Sequence, residues 1–174
     1  MRNPDGSFVN HDEWLRRYQA DTVKAISTFR SGSPQIWLGT APISKGQEAG
    51  HDYGVFDLAN MYRELARENR RVHVAESGAA DMYNGTQYAR WLPCLASEPC
   101  EGGVDIWGRR VNFVRNQWDG AHFCPGPFPV VERCPIYSSG AMRFAGGLLI
   151  PVLQSMGRFD AQRAAGTYWA TWPN

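Results

Sequence analysis

An aspartate and a histidine three residues apart are the groups in this sequence best suited to chemistry. Asp119 and His122 lie in the stretch 111–125, where a short apolar run ends in a polar turn that contains a glycine. A carboxylate and an imidazole on a loop at a strand end suit a general base and the group that orients it. Because D-x-x-H is common by chance, the surrounding elements must decide whether the pair is catalytic.

The composition predicts one globular domain and excludes several classes of partner. The chain has 174 residues, an apolar fraction of 43% and a net charge of +1. Such a small net charge gives no general attraction to nucleic acid. No apolar stretch is long enough for a membrane span, and the N-terminus has no apolar signal region. The 13% of aromatic residues, including seven tryptophans, are typical of a packed core or of a surface that contacts sugars or lipids.

The four cysteines favour disulfides over free thiols or a metal site. Cys94, Cys100, Cys124 and Cys134 lie in proline-containing loops, and their spacing lacks the paired C-x-x-C of structural zinc sites. The sequence therefore predicts no metal site and no cofactor. The simplest pairing is Cys94–Cys100 with Cys124–Cys134, although four cysteines allow three pairings. Disulfides would place the protein in an oxidising compartment.

Hydrophobic periodicity predicts alternating helices and strands in the first half of the chain. A helix is expected from an N-cap at Asp12 to about Arg30, and a second helix from Gly54. Apolar runs at 35–41 and 71–78 are typical of strands buried on both faces of a parallel sheet. The stretch 79–110 is expected to be irregular, and the run that begins at Val111 is expected to add a third strand.

A last helix is predicted after Cys134. Ser138 or Ser139 would cap it, and Pro151 would kink or end it. Residues 157–174 are expected to form a loosely held tail. The predicted apolar face of this helix consists of Met142, Ala145, Leu148, Leu149 and Val152.

Two segments resemble the SGNH (GDSL-type) hydrolases. The first is Asp119-Gly-Ala-His122-Phe-Cys-Pro125, followed by Cys134-Pro-Ile-Tyr-Ser-Ser-Gly140 and an apolar helix, which is similar to the last conserved block of that family, especially in secreted members of actinobacterial type. The second comprises the upstream strand and helix units. The resemblance implies a partial domain over 1–156 with a three-layer α/β/α flavodoxin-like fold and a parallel sheet. It also implies hydrolysis of carboxylic esters on carbohydrates or lipids, with His122 as general base and Asp119 as its orienting carboxylate.

The sequence departs from that family in its missing nucleophile. It contains neither Gly-Asp-Ser nor Gly-x-Asn-Asp, which supply the serine and oxyanion hole in the family. The resemblance implies that the first three strands are absent and that the isolated chain is inactive. One sheet edge would then be unpaired and prone to self-association. The full-length parent would be extracellular or in the cell envelope. The alternatives are a non-catalytic remnant that binds carbohydrate or another ligand, and an enzyme that uses Ser44, Ser77 or Ser139.

Overall fold

The structure, a computed structural model, describes residues 2–29, 35–47, 54–95, 98–100, 102–116, 119–123 and 138–158. These residues form a mixed α/β structure. Its helices are α1 (His11–Ser27), α2 (Val55–Glu68) and α3 (Ser139–Ser155), and its strands are β1 (Ile36–Gly39), β2 (Val72–Ala75), β3 (Met82–Tyr83), β4 (Gln87–Tyr88), β5 (Trp91–Pro93) and β6 (Val111–Phe113). A short 3-10 turn, Ala79–Asp81, precedes β3. No helix in the described ranges is long and apolar enough to cross a membrane.

The first helix begins earlier than the sequence predicts. Asn10, and not Asp12, is the N-cap, and its side chain accepts a hydrogen bond from the backbone N–H of Glu13 at 2.9 Å. An asparagine oxygen satisfies one of the N–H groups that a helix start leaves without a partner. Asp12 then lies in the first turn, where its negative charge interacts favourably with the helix dipole.

The parallel pair of strands that the sequence predicts is present. β1 and β2 pair in parallel, with Ile36 opposite Val72 at one end and Gly39 opposite Ala75 at the other, and α2 connects them. The contact between α2 and β2 centres on the buried side chains of Met61, Leu65 and Val72. Buried apolar side chains of this kind stabilise such a unit by about 1.5–3 kcal/mol each.

The second edge of β1 has no strand beside it in the described part of the chain. The backbone N–H groups of Ile36 and Thr40 point to β2, where they donate to Arg71 and Ala75 at 2.7 and 2.9 Å. Because alternate residues of a strand point to opposite edges, the N–H and C=O groups of Trp37 face the other side. The parallel sheet of the described residues therefore has two strands.

The expectation that the run at Val111 adds a third strand to the parallel sheet is wrong. β6 pairs antiparallel with β5, with Leu92 opposite Asn112, and forms a separate small sheet. The stretch 79–110, expected to be irregular, contains the 3-10 turn and the strands β3, β4 and β5. A three-residue apolar run carries too little periodicity to identify its partner, and here a nearby segment of the chain supplies one. The described residues thus show one parallel pair of strands and two antiparallel pairs.

Helix α3 begins at the predicted cap but buries a different face. Ser138 is the N-cap, and the helix continues through Pro151 to Ser155. Leu149, expected in the core, is 47% exposed. The glycines explain the difference, because a β-carbon on Gly140 would lie 2.1 Å from the Val114 carbonyl oxygen. The buried face consists of Ser139, Gly140, Arg143, Gly146, Gly147 and Ile150. Most of the expected tail, 159–174, lies outside the described residues.

Candidate active site

Asp119 and His122 form the hydrogen-bonded pair that their spacing predicts. The Nδ1 atom of His122 lies 2.8 Å from Asp119 Oδ2. The other carboxylate oxygen, Oδ1, accepts the backbone N–H groups of Ala121 and His122 at 2.7 and 3.1 Å. These three contacts fix the carboxylate relative to the imidazole. The His122 side chain is 80% exposed, so its Nε2 edge is open to an incoming group.

The same contacts keep Asp119 ionised. The backbone N–H of Ala121 lowers the pKa of the carboxyl group most, and the His122 side chain and backbone lower it further, while slight burial opposes them. The net pKa lies below the ordinary 3.8. Hydrogen bonds to a carboxylate favour its charged form, and an ionised Asp119 can accept the N–H of His122 at any pH near neutrality.

Asn116 closes the loop that carries the pair. Its backbone N–H donates to the His122 carbonyl at 2.7 Å, and its carbonyl accepts the Gly120 N–H at 3.1 Å. Its side-chain oxygen accepts the Asp119 N–H at 3.3 Å. Asn116 was not among the residues predicted from the sequence. A buried asparagine shortly before a turn is the signal that could have found it, because asparagine side chains commonly bond nearby backbone groups.

Gly120 packs the loop against two other parts of the chain. It has φ +65°, and a β-carbon there would lie 2.5 Å from both Lys45 Cβ and the Tyr88 hydroxyl. The backbone N–H of Lys45 also donates to the Gly120 carbonyl at 3.2 Å. The loop after β1 therefore contacts the Asp119–His122 loop, although β1 and β6 belong to different sheets.

The candidate serines differ in their surroundings. The fully buried Ser77 hydroxyl donates to the Thr40 carbonyl at 2.8 Å, and Ser139 is buried against the Glu98 carboxylate. Ser138 caps α3 and donates to the Phe123 carbonyl at 2.6 Å. Only Ser44, of the three serines considered as nucleophiles, directly precedes a residue that contacts the Asp119–His122 loop.

Two buried contacts between a carboxyl group and an arginine lie in the interior near the site. Glu98 Oε2 is 2.5 Å from Arg143 Nη2, which joins α3 to the segment after β5. Asp81 Oδ1 is 3.8 Å from Arg115 Nη1, and neither Asp81 oxygen has a hydrogen-bond partner among the described residues. The Arg115 guanidinium lies 4.5 Å from the ring centre of Phe123, next to His122. The Arg115 side chain therefore links Phe123, at the end of the loop, to the buried carboxyl group of Asp81.

Burial dominates the electrostatics of Asp81. Desolvation raises its pKa from 3.8 to about 8, although the charges of Arg115 and Arg143 oppose the rise. For Glu98, burial also raises the pKa, but hydrogen bonds from Arg143 and Ser139 outweigh it and the pKa is lowered. The difference follows from contacts, because Glu98 has donors at hydrogen-bond distance and Asp81 does not.

One of the two expected disulfides is present. Cys94 and Cys100 are bonded, with Cα atoms 5.9 Å apart, and the short loop that they close carries Glu98. Cys124 and Cys134 lie outside the described residues. Within the described ranges no group of three or more His, Cys, Asp or Glu side chains could hold a metal ion.

Two concave regions lie near these elements. A cavity of about 750 Å³ between β2, the 79–95 segment and α3 is lined by none of the residues of the Asp119–His122 loop. A cleft of about 410 Å³ is lined by Tyr88, the same side chain that contacts Gly120. None of the residues of that loop lines the cleft either, and Tyr88 is the residue that the cleft and the surroundings of Gly120 share.

Comparison of the chain with known protein families, curated proteins and solved structures gives no match. The resemblance to SGNH hydrolases therefore depends on the residues of the two segments that carry it. The role of the pair formed by Asp119 and His122 is accordingly inferred from its geometry.

Proposed function

We propose that His122 is the general base, and Asp119 its orienting carboxylate, in a serine esterase of SGNH type that hydrolyses carboxylic esters. The observation that carries this proposal is the 2.8 Å contact between His122 Nδ1 and Asp119 Oδ2, on a carboxylate whose other oxygen is held by two backbone N–H groups. That arrangement orients the imidazole so that Nε2 can accept a proton.

The proposed reaction is acyl transfer through a serine. His122 Nε2 accepts the proton of the serine hydroxyl as its oxygen bonds to the ester carbonyl carbon. The ester C–O bond then breaks, and His122 returns the proton to the leaving alcohol. Water attacks the acyl-serine in a second round, with His122 again accepting and returning a proton. Asp119 stabilises the imidazolium that forms in each round.

The serine in this proposal comes from one of two places. Ser44 is the first, because Lys45 directly after it is hydrogen-bonded to Gly120. The second is a polypeptide segment outside the 174 residues that carries the Gly-Asp-Ser and Gly-x-Asn-Asp motifs of the family. The second arrangement also provides the oxyanion donors whose loss costs about a hundredfold or more in rate.

A binding protein without catalysis is the second candidate. The contacts of Ser77 and Ser139 favour it, because both hydroxyls are buried and engaged by oxygen acceptors. The His122 side chain is also 80% exposed. In this alternative the loop is a remnant of an ester-hydrolysing ancestor, and the protein binds carbohydrate or another ligand.

The proposed location is extracellular or in the cell envelope. The Cys94–Cys100 disulfide supports it, because such bonds persist in oxidising compartments. The substrate would be an ester of a small molecule, a carbohydrate or a lipid.

A fluorophosphonate probe and a p-nitrophenyl acetate assay test the proposal. In the form of the protein that contains the serine, we expect labelling and turnover, and both should disappear in His122→Ala. Loss of both in Ser44→Ala as well would identify the nucleophile within this chain. Turnover that survives His122→Ala would contradict the proposed role of the pair.

The test also separates the two sources of serine. If the wild-type chain alone shows neither labelling nor turnover, the assay is repeated with the chain expressed from its gene together with the upstream reading frame. Restored turnover that depends on His122 supports the second source. If neither form shows labelling or turnover, the result favours the alternative that the protein binds a ligand without catalysis.

A further inference from the structure

We infer that the cleft between β3, β4, β5 and the turn before β6 is a binding site for an oligosaccharide. The cleft has a volume of about 410 Å³, within the usual range for small-ligand sites. Three of its aromatic side chains remain well exposed: Tyr83 at 43%, Trp91 at 50% and Trp107 at 71%. Exposed tryptophans that line one concave surface are unusual for a solvated face, because their burial is strongly favourable.

The turn that carries Trp107 is held in place before any ligand arrives. The Asp105 carboxylate accepts the backbone N–H groups of Trp107 and Arg109 at 2.9 and 2.8 Å. It also accepts Arg109 Nε at 2.7 Å. Gly108, at φ +75°, allows the tight reversal. A fixed ring loses little conformational entropy on binding, so the geometry favours recognition.

Neighbouring side chains also fix the orientation of the two tryptophan rings. The Arg109 guanidinium lies 4.9 Å from the centre of the Trp107 ring, which covers one face and leaves the other available. Trp91 meets Phe113 edge to face, with ring centres 6.2 Å apart. The cleft therefore presents aromatic faces in fixed positions, with the charged groups of Arg90, Asp105 and Arg109 along its lining.

This combination matches the chemistry of a pyranose chain. One face of a pyranose ring carries C–H groups with a small positive charge, which pack on the electron-rich face of an indole or phenol. Its hydroxyls lie at the ring edge, where arginine and carboxylate groups can donate and accept. A lipid surface would favour a broad apolar patch, whereas this cleft carries arginine and aspartate side chains beside its aromatic rings.

The cleft adjoins the candidate active site through Tyr88. That residue lines the cleft, and its hydroxyl lies against Gly120 between Asp119 and His122. Tyr88 therefore separates a glycan in the cleft from the loop that carries the imidazole, and its buried hydroxyl faces the loop. That the bound glycan carries the ester rests on the proposed function, whereas the binding itself does not.

Calorimetric titration of the His122→Ala chain with chitohexaose, xylohexaose and cellohexaose tests the inference. We expect at least one of these to bind, and Trp107→Ala or Trp91→Ala in that background to weaken the affinity about tenfold or more, which corresponds to 1.4 kcal/mol. Phe8→Ala is the matched control, since Phe8 is 72% exposed and lies outside the cleft. It should leave the affinity unchanged.

Several outcomes would overturn the inference. They are the failure of all three oligosaccharides to bind a folded chain, binding that both tryptophan variants leave unchanged, and binding only to phosphatidylglycerol vesicles. Because the titrations use the His122→Ala background, they are independent of hydrolysis. Ester turnover by the wild-type chain without sugar binding would refute only the proposal that the cleft binds an oligosaccharide. Sugar binding without turnover would refute only the proposed ester hydrolysis.

Discussion

Gly120 and Tyr88 are in direct contact, because a β-carbon on Gly120 would lie 2.5 Å from the Tyr88 hydroxyl oxygen. This contact joins the loop of the Asp119–His122 pair to strand β4 and to the aromatic cleft. A glycine is therefore required for two reasons, its positive φ and the lack of space for a side chain. The motif D-G-A-H has its glycine at the point where the loop meets the rest of the protein.

Gly120→Ala is expected to lower the free energy of unfolding by about 2–4 kcal/mol, from backbone strain together with overpacking. Gly46→Ala is the matched control. Gly46 also has a positive φ, +87°, but a β-carbon there would have nothing within 4 Å, so only the strain term applies. Urea unfolding curves of the two variants give the difference. Equal losses in both would show that the contact with Tyr88 and Lys45 contributes nothing.

Asp119→Asn is expected to reduce kcat/KM for p-nitrophenyl acetate by about a hundredfold or more, if the proposed hydrolysis is correct. The amide would present an N–H to His122 Nδ1 and favour the wrong tautomer. The chain offers a matched control in Asp57→Asn, because Asp57 Oδ2 lies 2.8 Å from His11 Nε2 in a second pair away from the loop. Equal losses of activity in both variants would point to a general effect on folding.

The stability of the protein is expected to reflect the buried carboxyl group of Asp81. Its pKa is about 8 in the folded chain against an ordinary 3.8, so the folded state holds the proton to higher pH. The contribution of Asp81 to the free energy of unfolding is fully present below about pH 3.8 and is lost as the pH rises towards 8. Asp81→Asn should therefore gain stability relative to wild type with rising pH, by roughly 1 kcal/mol per pH unit.

Urea unfolding at several pH values between 4 and 8 measures this difference. Asp21→Asn, at an exposed position of α1, is the control for removal of a carboxylate. A wild-type curve that runs parallel to that of Asp81→Asn would show that Asp81 ionises as readily in the folded chain as in the unfolded one.

In the described part of the chain the second edge of β1 has no strand beside it, and this edge is expected to make the isolated chain self-associate. The N–H and C=O groups of Trp37 face that edge, and β1 of one copy can pair antiparallel with β1 of another across a two-fold axis. Trp37→Lys places a charge on the edge and should shift the chain towards monomer. Sedimentation velocity over a range of concentrations is the measurement, with the exposed Phe8→Lys as control. A wild-type chain that is monomeric throughout would contradict this expectation.

The sequence predicted the local features well where a single residue type decides them. Ser138 or Ser139 was expected to cap the last helix, Gly54 to open the second, and Cys94 to pair with Cys100; Ser138 is the cap, and the other two predictions are confirmed. The cap of the first helix was predicted two residues too late, at Asp12 instead of Asn10. Caps, helix starts and short disulfide loops depend on chemistry within a few residues. The parallel pairing of β1 and β2 was also predicted, because a strand–helix–strand unit has a strongly preferred arrangement.

Long-range partners were predicted less well. The run at Val111–Phe113 gave no sign that β5 would pair with it in the antiparallel sense, and the apolar stripe of α3 gave no sign that the glycine face would be buried. Both outcomes depend on what lies across the contact. A close backbone approach, such as that of Gly140 to Val114, is favourable only when the second segment is in place.

By itself the sequence determined that Asp119 and His122 lie close enough to bond, since three residues of a turn bring their side chains together. Only the tertiary structure decided what surrounds them. It placed Asn116, Lys45 and Tyr88 against the loop, buried Ser77 and Ser139 against oxygen acceptors, and gathered two tryptophans into one cleft. Spacing fixes short-range contacts, whereas neighbours distant in the chain are fixed by packing, which no local pattern encodes.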